Sequence, residues 1–169
     1  MPAQWSSAAS GSWSATTGSP ASWATASNWG GTANVGNTAG DSATIQSNIA
    51  GAYTINLNGV RTVGNLTIGD SDSTHAFTLA FGSTSILTFD QTDSGTAMLA
   101  FTSTTSATND TISAPIQLND NLRAYNTSTT NSTKVISGTI SGIGSALPST
   151  TMTGSLQQPR AWAASPCRG

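Results

Sequence analysis

Residues 53–69 read YTINLNGVRTVGNLTIG. Ile55 and Leu57 alternate with Thr54 and Asn56, the pattern breaks at Asn58 and Gly59, and Val63, Leu66 and Ile68 resume it. Period two on both sides of a tight corner predicts two strands, each with a buried face and a face of Thr and Asn. Similar bursts follow: Phe77, Leu79 and Phe81; Leu87 and Phe89; Leu99 and Phe101; Ile116 and Leu118; Ile136 and Ile140. Two of them recur at a fixed offset. Leu79-Ala80-Phe81 returns 20 residues later as Leu99-Ala100-Phe101, and Leu66 to Ile68 returns after 21 as Leu87 to Phe89. Interleaved tracks with a period near 20 predict a parallel β-helix (β-solenoid), whose rungs bury a face only by stacking on each other. A β-sandwich or a propeller-like fragment is the alternative for short strands with frequent turn signals.

Composition supports an all-β chain. Only 7% of the 169 residues are charged, against ~25% in an average soluble domain. All seven acidic residues are Asp, and Thr, Ser, Asn and Gly take the place of the good helix formers. Asn58, Asn65, Asn109, Asn119, Asn121 and Asn126 are expected at or beside corners, where Asn tolerates positive φ. The five basic residues form no stripe, so nucleic acid is not an expected partner. No apolar run is long enough to predict a membrane span. The first ten residues, MPAQWSSAAS, have neither a basic start nor an apolar core, and no signal peptide is read in them. Cys167 is the single cysteine.

Three regions are expected. Residues 1–30 hold Trp5, Trp13, Trp23 and Trp29 and read as a Trp-rich N-terminal cap over the open end of a stacked core. Trp23 and Trp29 are also the candidates for stacking on sugar rings, although the irregular tryptophan spacing defines no single face. The β-solenoid is expected over 31–145. Residues 146–169 lose the alternation, carry Pro159, Pro166 and Cys167, and read as an irregular, non-native tail.

Chemistry has few places to reside. His75 is the only imidazole, in GDSDSTH at 69–75, and with Ser73 and Asp72 it supplies the residue types of a nucleophile, base and orienting acid. Neighbouring residues rarely meet in that geometry, and the Gly-x-Ser-x-Gly turn is absent. A solvated turn histidine is the simpler reading. Asp70, Asp72 and Thr74 are spaced like the first three ligands of a calcium loop, but His75 stands at the glycine position and Phe81 at that of the bidentate Glu. Asp90 and Asp93 make a second acidic turn one expected rung later. Asp70, Asp72, Asp90 and Asp93 are therefore the candidate calcium ligands along one edge, against plain turn formation by Asp. No cofactor is expected unless these carboxylates hold calcium.

Several segments taken in order resemble one family. WATASNWGG at 23–31, GDSATI at 40–45, LNGVRTVGNL at 57–66, ISAPI at 112–116 and ISGTISGIG at 136–144 are similar to the autotransporter-associated β-strand repeat proteins. The resemblance covers roughly 20–145. It implies a right-handed parallel β-helix from a large secreted or surface-attached bacterial protein, acting as a stalk, adhesin or passenger scaffold. It implies no catalytic residues. In that family the Ser-Gly-rich segment continues into another Leu-Thr-Leu rung, whereas ALPS follows here at 146–149, so the chain reads as a fragment. The expected function is structural or adhesive, with surface glycans or further copies of the chain as partners. The alternative is a calcium-assisted hydrolase or lyase acting on glycans, small esters or lactones through His75 and neighbouring Asp.

Overall fold

The computed structural model describes residues 8–82, 84–103, 109–127, 133–143 and the strands within 146–148 and 156–157. The chain winds as a β-solenoid that visits three sheets in a fixed order. We call them sheets I, II and III. An incomplete first turn holds β1 (Ser10–Ser12) in sheet I and β2 (Ala21–Ser22) in sheet II, followed by one turn of 3-10 helix at Ala26–Trp29. Next come β3 (Ser42–Ile45), β4 (Tyr53–Asn56) and β5 (Val60–Val63), then β6 (Asn65–Ile68), β7 (Phe77–Ala80) and β8 (Ile86–Phe89). The following turns are β9 (Thr96–Phe101), β10 (Thr111–Ile112) and β11 (Ile116–Leu118), then β12 (Asn121–Asn126), β13 (Lys134–Ile136) and β14 (Ile140–Gly142). Strands β15 (Ala146–Pro148) and β16 (Leu156–Gln157) add to sheets I and II. Every ladder is parallel, which excludes the sandwich and propeller alternatives.

Alternation decides which side chains enter the tube. In sheet II, Ala21, Ile55, Leu79, Ile112 and Ile136 lie in register and are all buried. Ala43, Leu66, Leu99 and Ala124 form the matching column in sheet I, and Val63, Phe89 and Leu118 one in sheet III. Each fully buried Leu, Ile or Phe contributes roughly 1.5–3 kcal/mol, and most of its partners belong to neighbouring turns. The outward positions carry Thr54, Thr78 and Thr111 in one row and Thr62, Thr88 and Gln117 in another, of which Thr88 is buried.

The turn length differs from the expected period. Thr44 pairs with Thr67 and Thr67 with Ala100; Thr54 pairs with Thr78 and Thr78 with Thr111. Leu79 and Leu99 belong to sheets II and I, and Leu66 and Leu87 to sheets I and III, so the 20- and 21-residue matches join different sides of the tube. The solenoid is real, but its period is longer and uneven because the corners vary in length. One III-to-I corner is the single residue Gly64, whereas the next spans 90–95 and includes a 3-10 turn at Thr92–Ser94. Phe81, expected inside, lies past the end of β7 and is exposed. Of the six corner asparagines, only Asn58 has a positive φ.

The regional limits shift too. Strands β1 and β2, within the expected cap, already pair with β3 and β4 as solenoid strands. Strands β15 and β16, within the expected tail, pair with β12 and β13; the rest of 149–169 lies outside the described residues.

The longer III-to-I corner folds back over two earlier turns. The Gly40 N–H donates to the Asp90 carbonyl at 2.9 Å, and the Gln91 side chain lies over Gly64. A Cβ at Gly64 would stand 2.6 Å from Gln91 Oε1 and 2.8 Å from the Gly40 backbone. Gly64→Ala is expected to cost about 1–3 kcal/mol through this overpacking. Urea unfolding checks it, and an unchanged midpoint would contradict the packing described.

Candidate functional site

The residues proposed for chemistry occupy the I-to-II corner between β6 and β7. Gly69 and Asp70 follow the last residue of β6, and the chain turns through Ser73, whose φ is 60°. Asp70 is buried and organises the turn. Its Oδ1 accepts the Ile49 N–H at 3.1 Å, and its Oδ2 accepts the N–H groups of Thr74 and His75, each at 2.9 Å. The Asp70 N–H in turn donates to Ser103 Oγ at 2.9 Å, in the next turn. A carboxylate with several amide donors caps the corner on both sides.

Asp72 lies on the exposed surface and joins that network through Thr74, whose N–H and hydroxyl reach both carboxylates. Thr74 donates to its Oδ1 through Oγ1 at 2.7 Å and through its backbone N–H at 3.0 Å. The Thr74 hydroxyl above all, then the Asp70 side chain and the Thr74 amide, push the Asp72 carboxyl down to about 2. Thr74 Oγ1 also lies 2.7 Å from His75 Nδ1. The order of contacts is therefore carboxylate, hydroxyl, imidazole. A nucleophile relay needs the imidazole between hydroxyl and carboxylate, so that it takes the proton while the acid orients it. Here Thr74, not His75, sits in the middle. Ser73 is buried, and its hydroxyl points to the Asp70 carbonyl at 3.4 Å.

The candidate calcium ligands do not share an edge. Asp70 and Asp72 lie on the I-to-II corner, whereas Asp90 and Asp93 lie on the III-to-I corner between β8 and β9. Asp90 Oδ2 accepts the Asn119 amide at 2.8 Å, and Asp93 is exposed with a φ of 62°. No cluster of three or more His, Cys, Asp or Glu fit to hold a metal occurs among the described residues. The expectation of one shared edge failed with the 20-residue period on which it rested.

Trp23 and Trp29 are 1% and 2% exposed, so neither presents a face on which a sugar could stack. Their rings pack edge-on with centroids 4.7 Å apart; Trp29 meets Trp13 at 5.0 Å, Trp13 meets Tyr53 at 6.4 Å, and Tyr53 meets Phe77 at 5.9 Å. Each of the three indole N–H groups donates to a backbone carbonyl at 2.8 Å. This aromatic column closes the first turn and continues into the core. Beside it, a cleft of about 490 Å³ is lined by Ser10, Ser12, Ser42 and Thr44 together with the edges of Trp13 and Trp29.

No family model, curated protein or solved structure matches this chain. Its chemistry rests on its own geometry.

The groups that a reading of the chain passed over are the buried ions. Asp41 is fully buried and accepts the N–H groups of Ala9, Asn37 and Thr38 and the Thr38 hydroxyl. Asp110 is 0% exposed; its Oδ1 accepts the Phe77 N–H at 3.0 Å, and its Oδ2 meets Lys134 Nζ at 2.9 Å, with Lys134 1% exposed. Asp120, half-buried, makes the same kind of contact and accepts the Gln91 N–H at 2.8 Å. A common rule emerges: Asp41, Asp70, Asp110 and Asp120 each accept a backbone N–H from the preceding turn. For Asp41, Asp110 and Asp120 the sequence signal is an Asp just before a strand, in DSATI at 41–45, DTI at 110–112 and DNL at 120–122, whereas Asp70 lies in the corner after β6.

Two outcomes follow. The folded Asp72 carboxyl lies below its ordinary value of 3.8, so its contribution is complete above pH about 4 and is lost as pH falls towards about 2. The thermal midpoint of the wild type relative to Asp72→Asn is expected to be constant above that window and to decline within it. A gap independent of pH would contradict the hydrogen bonding assigned to Asp72. Lys134→Ala leaves Asp110 a buried charge without its cation and is expected to cost roughly 3–5 kcal/mol. Lys134→Met combined with Asp110→Asn removes both charges, keeps an acceptor for Phe77, and should cost less by the same urea titration.

Proposed function

We propose that this chain is a structural and adhesive β-helix segment of a secreted or surface-attached bacterial protein, and that it performs no turnover. The observation that carries the reading is the uninterrupted parallel stack, with an apolar interior and outward rows of Thr, Asn, Gln and Ser. Such a surface is hydrated by hydroxyls and amides rather than by charge, and it offers repeated hydrogen-bonding groups at rung spacing, ~4.8 Å. Surface glycans or further copies of the chain suit it as partners. The resemblance to autotransporter-associated β-strand repeats supports the surface location. No helix among the described residues is long and apolar enough to cross a membrane.

The hydrolase or lyase reading rests on one contact, the 2.7 Å approach of Thr74 Oγ1 to His75 Nδ1 beside Asp72. A single assay separates the two readings. Glycans, small esters and lactones are incubated with the chain, with and without a chelator, and with His75→Ala. The scaffold reading expects no turnover under any condition. Turnover lost both on chelation and in His75→Ala would replace it with the enzyme. With the tryptophans at 13, 23 and 29 enclosed, glycan binding detected on immobilised sugars is expected to leave their fluorescence unchanged.

A further inference from the structure

We propose that Lys134 and Asp110 condense to an intramolecular amide that staples the third full turn of the solenoid to the fourth. Lys134 opens β13 and Asp110 immediately precedes β10, and these strands pair with Thr111 opposite Val135. The two side chains therefore meet across one step of the ladder, with Nζ 2.9 Å from Oδ2 and both groups sealed from solvent. In water this pair is unreactive, because the amine is protonated and the carboxylate is a poor electrophile. For the step to begin, the ammonium proton passes to Oδ2 across the 2.9 Å contact, which leaves a neutral amine against a neutral acid. Asp110 Oδ1 already accepts the Phe77 N–H at 3.0 Å. That backbone donor is aimed at the oxygen that gains negative charge when Cγ becomes tetrahedral. The fold holds nucleophile and electrophile together, so the encounter is intramolecular.

The step balances without a co-reactant. The Nζ–Cγ bond forms, Nζ gives a proton to the departing Oδ2, the Cγ–Oδ2 bond breaks, and one water leaves. Nothing is oxidised or reduced. The product retains the amide oxygen on the Phe77 N–H and replaces a buried ion pair with a neutral group. This inference does not depend on the scaffold reading, and an enzyme could carry the same staple.

Intact mass spectrometry of the folded full-length chain, after several days at neutral and mildly acidic pH, tests it. The mass is expected to fall short of the sequence mass by one water. Tryptic digestion should then miss cleavage at Lys134 and yield a branched product joining residues 62–123 to 124–160. Lys134→Arg and Asp110→Ala should each show the full mass. The wild-type measurement decides the matter even if those variants fail to fold. A folded wild-type chain of full mass, or a missing water that maps to any other residues, overturns the proposal.

Discussion

No turn of this chain can bury its own apolar side chains; each depends on the turn before and the turn after. The column of Ala21, Ile55, Leu79, Ile112 and Ile136 is the clearest expression of that constraint. Parallel pairing keeps like positions above one another, so Ile55, Leu79, Ile112 and Ile136 meet side chains of similar size, while Ala21 faces Ile55 at the end of the column. The aromatic column beside β1 and β2 obeys the same constraint. Trp13, Trp23 and Trp29 pack on one another and onto Tyr53 in the next turn, and their indole N–H groups satisfy local carbonyls.

The corners carry the polar side of the design. Backbone amides that leave a strand at a corner lose their ladder partners, and buried N–H groups need acceptors. Short carboxylates supply them across the gap between turns: Asp41 to Ala9, Asp70 to Ile49, Asp110 to Phe77 and Asp120 to Gln91. Asp has one methylene, a reach suited to a neighbouring rung ~4.8 Å away, and this gives a physical reason for an acidic complement made of Asp alone. A chain with few charges thus places several of them where they close the backbone hydrogen-bond account. Arg61 acts similarly at a II-to-III corner, donating to the carbonyls of Leu57 and Asn58.

The alternation in 53–69 was enough to read strands around the corner at Asn58 and Gly59, but the second expected strand is two, β5 and β6, because Gly64 turns the chain from sheet III to sheet I within an unbroken apolar pattern. A stack of short strands was also legible, from the many apolar bursts separated by turn residues, although the offsets that suggested it do not join stacked positions. The period was not, because a corner of one residue at Gly64 and a longer one at 90–95 cannot be distinguished by counting apolar residues. Matched tripeptides then aligned different sides of the tube, and Asp70 and Asp90 were put on one edge. Asp41 and Asp110 looked like any turn aspartate, since their partners are amides distant in sequence. The Trp23 and Trp29 rings were visible as large apolar groups, but irregular spacing said nothing about which way they faced.

Register is the claim on which all of this stands, and paired cysteines measure it directly. In a Cys167→Ser background, Thr54→Cys with Thr78→Cys places the two thiols on facing positions of adjacent turns, within the Cα range that a disulfide accepts. The account predicts rapid oxidation to an internal disulfide in this pair. It predicts none for Thr78→Cys with Met98→Cys, which stand 20 residues apart on different sheets. Cross-linking of the second pair and not the first would contradict it.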